Sequence, residues 1–202
     1  MLHIPCYRHS RRSRLMALFK ELFFALWFFL PAAIANMMPI FAAHWKFLAK
    51  YEQPMDFGKS YRGKRIFGSH KTIRGLLVGM IFSTFVLWLQ QLAVQHIGFV
   101  ASLTDQVNYA TLPILILGPL FGLGALLGDA IESFFKRQVG IKPGDGWFPF
   151  DQIDYIIGGA IATMPFVTLS ILQYVWLIVL WLVIHVISTF IGYKLGLKDK
   201  PI

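Results

Sequence analysis

Acidic side chains gather in one stretch, residues 128–155, that separates two long apolar runs. Asp129 directly follows one run, while Asp151 and Asp154 lie where the next run begins. Ionisable residues at the edge of apolar segments are energetically costly, so they indicate a functional site. Mg²⁺ is usually held by one or two carboxylates together with substrate phosphates. These three acids therefore predict a Mg²⁺ site with catalytic carboxylates.

Basic residues in the same stretch add the complementary charge. Lys136, Arg137 and Lys142 suit the phosphate groups of a substrate. On a continuous helix, Asp129, Glu132 and Lys136 would share one face, because their spacing is i, i+3 and i+7. A metal site beside an anion site at a bilayer surface suggests a nucleotide that meets a lipid phosphate.

Helix capping is the structural alternative for two of the acids. Asp151 could cap the following helix, and Asp154 could help to satisfy the amides of its first turn. Capping does not explain why Asp129 closes the preceding apolar run just across the loop. Both interpretations stay open at this point.

Long runs without Asp, Glu, Lys or Arg define the elements that must position these groups. The last run, 155–193, would be about 58 Å long as one helix, so we expect it to fold back near residues 170–174. The pattern predicts a single all-α membrane domain, 1–202, with about five transmembrane helices and two functional cytoplasmic loops. The predicted spans are about 22–41, 75–95, 110–128, 155–171 and 175–193, and the loops are 42–74 and 129–154.

The distribution of positive charge predicts the orientation. The net charge is +9, and Lys and Arg concentrate in 46–74, 136–142 and 194–200 while 95–109 has none. Two spans separate each basic segment from the next, so all three lie on one face, which the positive-inside rule makes cytoplasmic. We therefore expect a multi-pass protein of the cytoplasmic membrane that does not bind nucleic acid. The basic N-terminal tail is then expected on the opposite side; the alternative is that the first segment, which Pro31 and Pro39 interrupt, is re-entrant.

The segment 46–74 alternates glycines with basic residues, a pattern that offers donors to phosphate. Its GxxxxG followed by Lys-Thr falls short of a phosphate-binding P-loop, because Ser69 and His70 intervene and no strand precedes it. A positive-inside loop that touches anionic headgroups is the alternative. The candidate nucleotide-binding residues here are Asp56, Gly58, Lys59, Gly63, Lys64, Arg65, Gly68, Lys71, Thr72 and Arg74.

Isolated polar residues in the spans carry weaker signals. Asn36 and Pro39 interrupt the first span, where they serve either helix packing or a substrate pocket. His185 in the last span is expected to be a buried packing residue. One cysteine, Cys6, excludes an internal disulfide and a cysteine-based metal cluster.

The motif "GDAIESFFKRQVGIKPG…FDQIDY" resembles the signature of the CDP-diacylglycerol synthases, a superfamily of CTP-dependent lipid-phosphate cytidylyltransferases. "IANMMP", "PMDFGKSYRGKRIFG" and "KTIRG" are similar to its CDP-archaeol synthase branch, whose members are small five-span proteins. The chain departs from that branch at Ser69-His70, where an acid is lost, and at Ile73, where a Trp is expected. These departures leave the identity of the lipid tail open.

The resemblance implies Mg²⁺-dependent transfer of CMP from CTP to an isoprenoid-ether lipid phosphate, with release of pyrophosphate. It implies that Asp129, Asp151 and Asp154 hold Mg²⁺ against the triphosphate. The basic residues of the same stretch would neutralise the leaving pyrophosphate, and the segment 46–74 would close over the nucleotide. Asn36 and Pro39 would line the base or lipid end of the pocket.

Three alternatives remain open from the sequence. A CDP-diacylglycerol synthase would act on phosphatidic acid, and a CTP-dependent polyprenol kinase would transfer the γ-phosphoryl group to an alcohol. A transporter or scaffold would have charges in mid-span or an inverted repeat, and the sequence has neither. The oligomeric state is not indicated by any of these patterns.

Overall fold

The computed structural model describes residues 11–46, 48–142 and 145–194. Its described part is almost entirely helical and contains one small β-hairpin, β1 (Ser60–Tyr61) paired with β2 (Lys64–Arg65). Short 3-10 turns occupy Ala49–Tyr51 and Tyr109–Thr111. The helices are α1 (Arg11–Ala42), α2 (Ile73–His96), α3 (Gly98–Leu103), α4 (Ile114–Val139), α5 (Phe150–Thr163) and α6 (Ile171–Lys194).

Four of these helices, α1, α2, α4 and α6, are long and apolar enough to cross a membrane. The prediction of an all-α membrane protein is therefore confirmed. The fifth predicted span corresponds to α5, which has 14 residues. At 1.5 Å per residue α5 is about 21 Å long, which is less than the roughly 30 Å of hydrocarbon in a bilayer. Five complete crossings thus remain a prediction.

Helix bounds extend past the predicted spans on the side of the acidic stretch. The helix α4 continues to Val139, so Asp129 and Lys136 lie on a helix, whereas we had predicted that they lie in a loop. The helix α5 begins at Phe150, which also places Asp151 and Asp154 on a helix. Charged residues are tolerated on these turns because they pair with one another across the α4–α5 contact.

The run 155–193 folds back as expected, with a break between Thr163 and Ile171. Ser170 and Gln173 form a reciprocal cap at this point. The Gln173 side chain accepts a hydrogen bond from the Ser170 amide at 2.8 Å, and the Ser170 hydroxyl accepts one from the Gln173 amide at 3.2 Å. This Ser-x-x-Gln pattern is a capping box, and it starts α6.

Glycines let α4 lie against two neighbouring helices at once. A Cβ added to Gly118 would lie 2.5 Å from the Thr84 Cα of α2, and one added to Gly124 would lie 2.5 Å from the Gly158 oxygen of α5. The Ser83 hydroxyl also donates a 2.7 Å hydrogen bond to the Gly118 carbonyl. Close backbone approach of this kind is typical of helix packing in membranes.

The helix α1 runs through the centre of the bundle and carries much of its core. Phe24, Phe28 and Phe29 are almost completely buried, and the latter two contact the Phe121 ring of α4 edge-on. The Trp181 indole of α6 donates a 3.1 Å hydrogen bond to the Ala25 carbonyl. These contacts fix α1 and α6 beside the acidic ends of α4 and α5.

The two ends of the bundle differ in their charged groups. At one end Lys20 of α1 pairs with Asp105, which follows α3. The acidic residues of α4 and α5 lie at the other end, together with the hairpin. The N-terminal side of α1 therefore lies at the end opposite the candidate site, while residues 1–10, including Cys6, fall outside the described part.

Candidate active site

Three carboxylates meet where α4 and α5 cross. Oxygen atoms of Asp129, Glu132 and Asp154 lie within 4.8 Å of one another. Gly128 makes this possible, because a Cβ there would lie only 2.3 Å from the Asp154 carbonyl oxygen. The absence of a side chain lets α5 approach α4 at the position where both helices carry acids.

This donor set fits a hard divalent cation, which prefers carboxylate oxygens. Glu132 is 8% exposed, and its Oε1 accepts no hydrogen bond within the described chain, although the Lys136 ammonium group lies 3.7 Å away. A buried, under-satisfied carboxylate oxygen is costly unless a cation or donor completes it. The residues present thus suit a divalent cation such as Mg²⁺, for which Asp129, Glu132 and Asp154 are candidate ligands.

Asp151 lies next to this trio but is engaged differently. It accepts a 2.7 Å hydrogen bond from Lys136 Nζ and another of 2.7 Å from the Trp147 amide. The structure therefore groups Asp129 and Asp154 with Glu132 and pairs the third predicted ligand, Asp151, with a lysine. It is the second residue of α5, after the N-cap Pro149, so Asp151 is not the cap. The i, i+3 spacing from Asp129 was the sequence signal for Glu132.

The segment before α2 reaches the acidic cluster through Lys71. Its ammonium group forms an ion pair with Asp129, and both side chains remain about one quarter exposed. Backbone hydrogen bonds hold this part of the segment in place, from the Met55 amide to the Lys71 carbonyl and from the Ile73 amide to the Gln53 carbonyl. Lys71 is therefore positioned at the edge of the carboxylate cluster.

A cavity of about 460 Å³ opens beside the acids and is lined by both membrane helices and loop residues. The N-terminus of α2 faces it, where the Thr72 hydroxyl accepts a hydrogen bond from the Gly75 amide. The positive end of a helix favours phosphate groups. The lining residues are Asn36, Pro39, Ile40, Ala43, Met55, His70, Lys71, Thr72, Gly75, Leu76, Leu126, Asp129, Asp151 and His185.

Asp56 organises the segment 53–68 from within. Its buried carboxylate accepts hydrogen bonds from Arg65 and from the backbone amides of Gly58, Phe67 and Gly68. Burial opposes ionisation of this carboxyl, but the hydrogen bond from Arg65 and those from the amides outweigh burial and hold the pKa of Asp56 well below its usual range. Asp56 thus builds the loop, and it does not line the cavity.

The glycines of this segment provide backbone conformation. Gly58, Gly63 and Gly68 all have φ between 76° and 111°, a region that favours glycine. Gly63 follows Arg62 at the tip of the hairpin, and both have positive φ, as a tight two-residue turn requires. These three residues had been predicted to bind nucleotide, but none of them lines the cavity.

Most of the predicted basic residues are occupied by protein partners. Lys64 donates a 2.7 Å hydrogen bond to the Gln138 carbonyl, which docks the hairpin on the end of α4. Buried Arg74 pairs with Glu52, and Arg137 donates to the Ile141 carbonyl. By contrast, the side chains of Lys59 and Lys142 are exposed and make no hydrogen bond or ion pair with the described chain.

Two histidines that were not predicted as site residues line the cavity. His70 reaches it from the loop, and His185 reaches it from α6. His185 is half-buried and packs against the Tyr155 ring, with ring centroids 5.7 Å apart. His185 therefore packs as expected, but it is half-buried on the cavity wall and not buried in the core. Nothing in the linear sequence places α6 against the acidic end of α5.

The fold and site define an integral membrane protein with a carboxylate-lined cavity at one end of its helix bundle, as in an enzyme that acts at the bilayer surface. A family model described as CarS-like, CDP-archaeol synthase, matches residues 18–202. The chain therefore belongs to the CDP-archaeol synthase family, and the enzyme class that it shares is that of CTP-dependent cytidylyltransferases.

Individual relatives agree with this assignment. A CDP-archaeol synthase of Methanospirillum hungatei is 36% identical over 155 residues, which cover 73% of this chain and 89% of the relative. One from Pyrococcus furiosus is 33% identical over 178 residues, covering 88% and 96%. A solved intramembrane enzyme for archaeal membrane lipid biosynthesis has a TM-score of 0.64 at 28% identity, over 81% of this chain and 91% of that structure.

The recognised resemblance is thus confirmed at the level of family and enzyme class. Membership of a cytidylyltransferase family favours CMP transfer over the polyprenol kinase and over the transporter or scaffold alternatives. It also makes CTP and a lipid phosphate the expected substrate classes.

Proposed function

We propose that this protein transfers CMP from CTP to an isoprenoid-ether lipid phosphate in a Mg²⁺-dependent reaction, giving a CDP-archaeol-type lipid and pyrophosphate. The observation that carries the proposal is the carboxylate trio of Asp129, Glu132 and Asp154, of which Asp129 lines a cavity whose walls are partly membrane helices. A nucleotide and a lipid can both reach such a site. The names of the relatives support the ether-lipid substrate.

Metal binding is assigned to the same carboxylates. Asp129, Glu132 and Asp154 would hold Mg²⁺, and Asp151 would act beside them through its contact with Lys136. Bound there, Mg²⁺ would neutralise charge on the triphosphate and favour attack at the α-phosphorus.

The triphosphate is assigned to the loop side of the cavity. Lys71 and the N-terminus of α2 at Thr72 offer positive charge and backbone amides. Exposed Lys59 and Lys142 lie on the same end of the bundle and would add charge once CTP is bound. The remaining predicted nucleotide-binding residues would support the loop: Asp56, Gly58, Gly63, Lys64, Arg65, Gly68 and Arg74.

The chemical step needs little besides positioning and charge neutralisation. A lipid-phosphate oxygen forms a bond to the α-phosphorus of CTP, and the bond between that phosphorus and the bridging α–β oxygen breaks. Its electron pair leaves with pyrophosphate, whose charge Lys136 and Arg137 would offset on releasing Asp151 and the Ile141 carbonyl. Because the lipid phosphate is already ionised at neutral pH, no general base is required.

The lipid is assigned to the membrane side of the cavity. Asn36 and Pro39 of α1 line this wall, and Ile40 beside them is 66% exposed. An apolar tail can therefore lie along α1 while its phosphate reaches the acids. With the site facing the cytoplasm, as the basic segments indicate, CTP would enter from the cytosol.

Substrate preference tests this proposal. The purified protein in nanodiscs would be given CTP and Mg²⁺ with either unsaturated archaetidic acid or phosphatidic acid. We expect the ether lipid to be converted with a kcat/KM at least tenfold higher, and we expect EDTA to abolish turnover. Equal or faster conversion of phosphatidic acid would overturn the ether-lipid assignment, and full activity in EDTA would overturn the metal assignment.

A further inference from the structure

His185 is an ionisable residue inside a membrane helix. It lies in α6, within the run 155–193 that contains no Asp, Glu, Lys or Arg. Exposed apolar residues surround it along the helix, among them Val183, Ile184 and Ile187. Polar side chains at such depth are costly and occur mainly where they face a cavity or a partner. His185 does line the cavity that also contains Asp129 and Asp151.

The surroundings of His185 fix its position. Its imidazole packs against the Tyr155 ring of α5, and the ring planes are inclined by 38°. Tyr155 is 3% exposed, contacts the Phe29 ring of α1, and directly follows the metal-site candidate Asp154. The imidazole is therefore held on the cavity wall by the same helix that positions the acid.

The polar groups that line the cavity come from two parts of the chain, a loop segment and the membrane helices. His70, Lys71 and Thr72 come from the segment that leads into α2, at the end of the bundle. Asn36 and His185 come from membrane helices α1 and α6. A phosphate that arrives with a lipid must enter from the membrane helices, whereas a water-soluble triphosphate arrives from the loop side.

We propose that His185 binds the phosphate of the lipid substrate, an assignment that rests on the proposed function and that extends it to the acceptor. A neutral imidazole has one N–H donor in either tautomer, which suits a phosphate oxygen. The residue touches the attacking group and thereby orients it toward CTP. Its loss should weaken binding of the lipid and leave binding of the nucleotide unchanged.

The test compares His185→Phe, which keeps a ring against Tyr155, with His185→Gln, which keeps an N–H donor. Ile187→Ala, at a 52% exposed position of the same helix, is the control. Initial rates would be measured in nanodiscs against both lipid phosphate and CTP. We expect His185→Phe to raise the KM for lipid phosphate about tenfold or more, as for loss of a hydrogen bond to a charged group. The KM for CTP should stay within twofold, and His185→Gln should recover part of the effect.

An unchanged KM for the lipid in His185→Phe would overturn the inference. Equal increases in both KM values, or a matching loss of thermal stability in both His185 variants, would assign the residue to packing and would overturn it as well. Failure of the proposed function has a different signature, because the wild-type protein would then convert neither the ether nor the ester lipid phosphate.

Discussion

Residues of one chemical type have different tasks in this molecule. Asp56 is buried, and its carboxylate accepts hydrogen bonds from Arg65 and backbone amides. Asp129, Glu132 and Asp154 instead face one another, and the Lys71 and Lys136 ammonium groups beside them offset part of the repulsion that a bound cation would relieve. The sequence could predict that acids cluster at this end of the chain. It could not separate the two tasks, because they depend on contacts between residues far apart in the chain.

Substitution of Glu132 separates the two candidate ligand sets. If Glu132 is a metal ligand, Glu132→Gln should lower kcat at least 100-fold and raise the Mg²⁺ concentration needed for half-maximal activity. In Asp151→Asn the Mg²⁺ concentration needed for half-maximal activity should change less than in Glu132→Gln, because Asp151 pairs with Lys136. Mg²⁺ titrations of both variants provide the measurement. If the Mg²⁺ dependence shifts only in Asp151→Asn, the ligands would be Asp129, Asp151 and Asp154, as the sequence predicted. That result would contradict Glu132 as a ligand.

The pH dependence of stability follows from Asp56. Because the pKa of Asp56 is depressed in the folded protein, its contribution to stability is present above about pH 4, where unfolded Asp is ionised. The contribution is lost as the pH falls through the folded pKa. Asp56→Asn should cost about 2 kcal/mol at pH 7, since it removes the charge from a buried carboxylate that accepts hydrogen bonds from Arg65 and backbone amides.

Thermal unfolding of wild-type and Asp56→Asn protein from pH 7 to pH 3 would check this. The difference in Tm should be constant down to about pH 4 and shrink below it. A difference that grows as the pH falls would show that the Asp56 carboxyl is not held ionised by its partners.

At the scale of elements, the α4–α5 contact decides whether a site exists. The GxxxG spacings Gly118–Gly122 and Gly124–Gly128 of α4 are typical of close helix packing, and the structure places Gly124 and Gly128 against Gly158 and Asp154 of α5. The sequence predicted the apolar runs and the break near Ser170. It missed that α4 continues to Val139, because a charged helix end resembles a loop until its partners on α5 are known.

Gly128→Ala tests this contact. The added Cβ would lie 2.3 Å from the Asp154 carbonyl oxygen, so α5 must shift. We expect a loss of about 1–3 kcal/mol of stability and a much larger proportional loss of kcat, because a small displacement separates the carboxylates. Gly98→Ala is the control, since a Cβ there meets nothing within 4 Å. Wild-type kcat in Gly128→Ala would mean that the α4–α5 distance does not control catalysis.

At the scale of the whole molecule, the bundle has a chemical end, which carries the carboxylates and the cavity, and an opposite end. Charge distribution predicted that the two polar segments around the acids share one side of the membrane. The structure brings them together through the hydrogen bond from Lys64 to the Gln138 carbonyl. At the far end, Lys20 pairs with Asp105. The apolar faces gave no comparable signal for which helices are neighbours.

Cysteine labelling tests the orientation. In a protein without Cys6, Lys142→Cys at the chemical end and Gly98→Cys at the opposite end would be treated with a membrane-impermeant maleimide in intact cells. We expect labelling at residue 98 alone, and labelling at both after permeabilisation. Labelling at residue 142 in intact cells would contradict the cytoplasmic location of the site.

The most direct test of the whole account follows the label of CTP into product. Wild-type protein and Asp154→Asn would be given Mg²⁺, an isoprenoid-ether lipid phosphate, and CTP labelled at either the α- or the γ-phosphate. The account predicts that the α-label enters the lipid and that the γ-label is released as pyrophosphate. In Asp154→Asn, neither lipid labelling nor pyrophosphate release should occur, while the variant keeps its fold. Transfer of the γ-label to lipid, or full activity in Asp154→Asn, would contradict it.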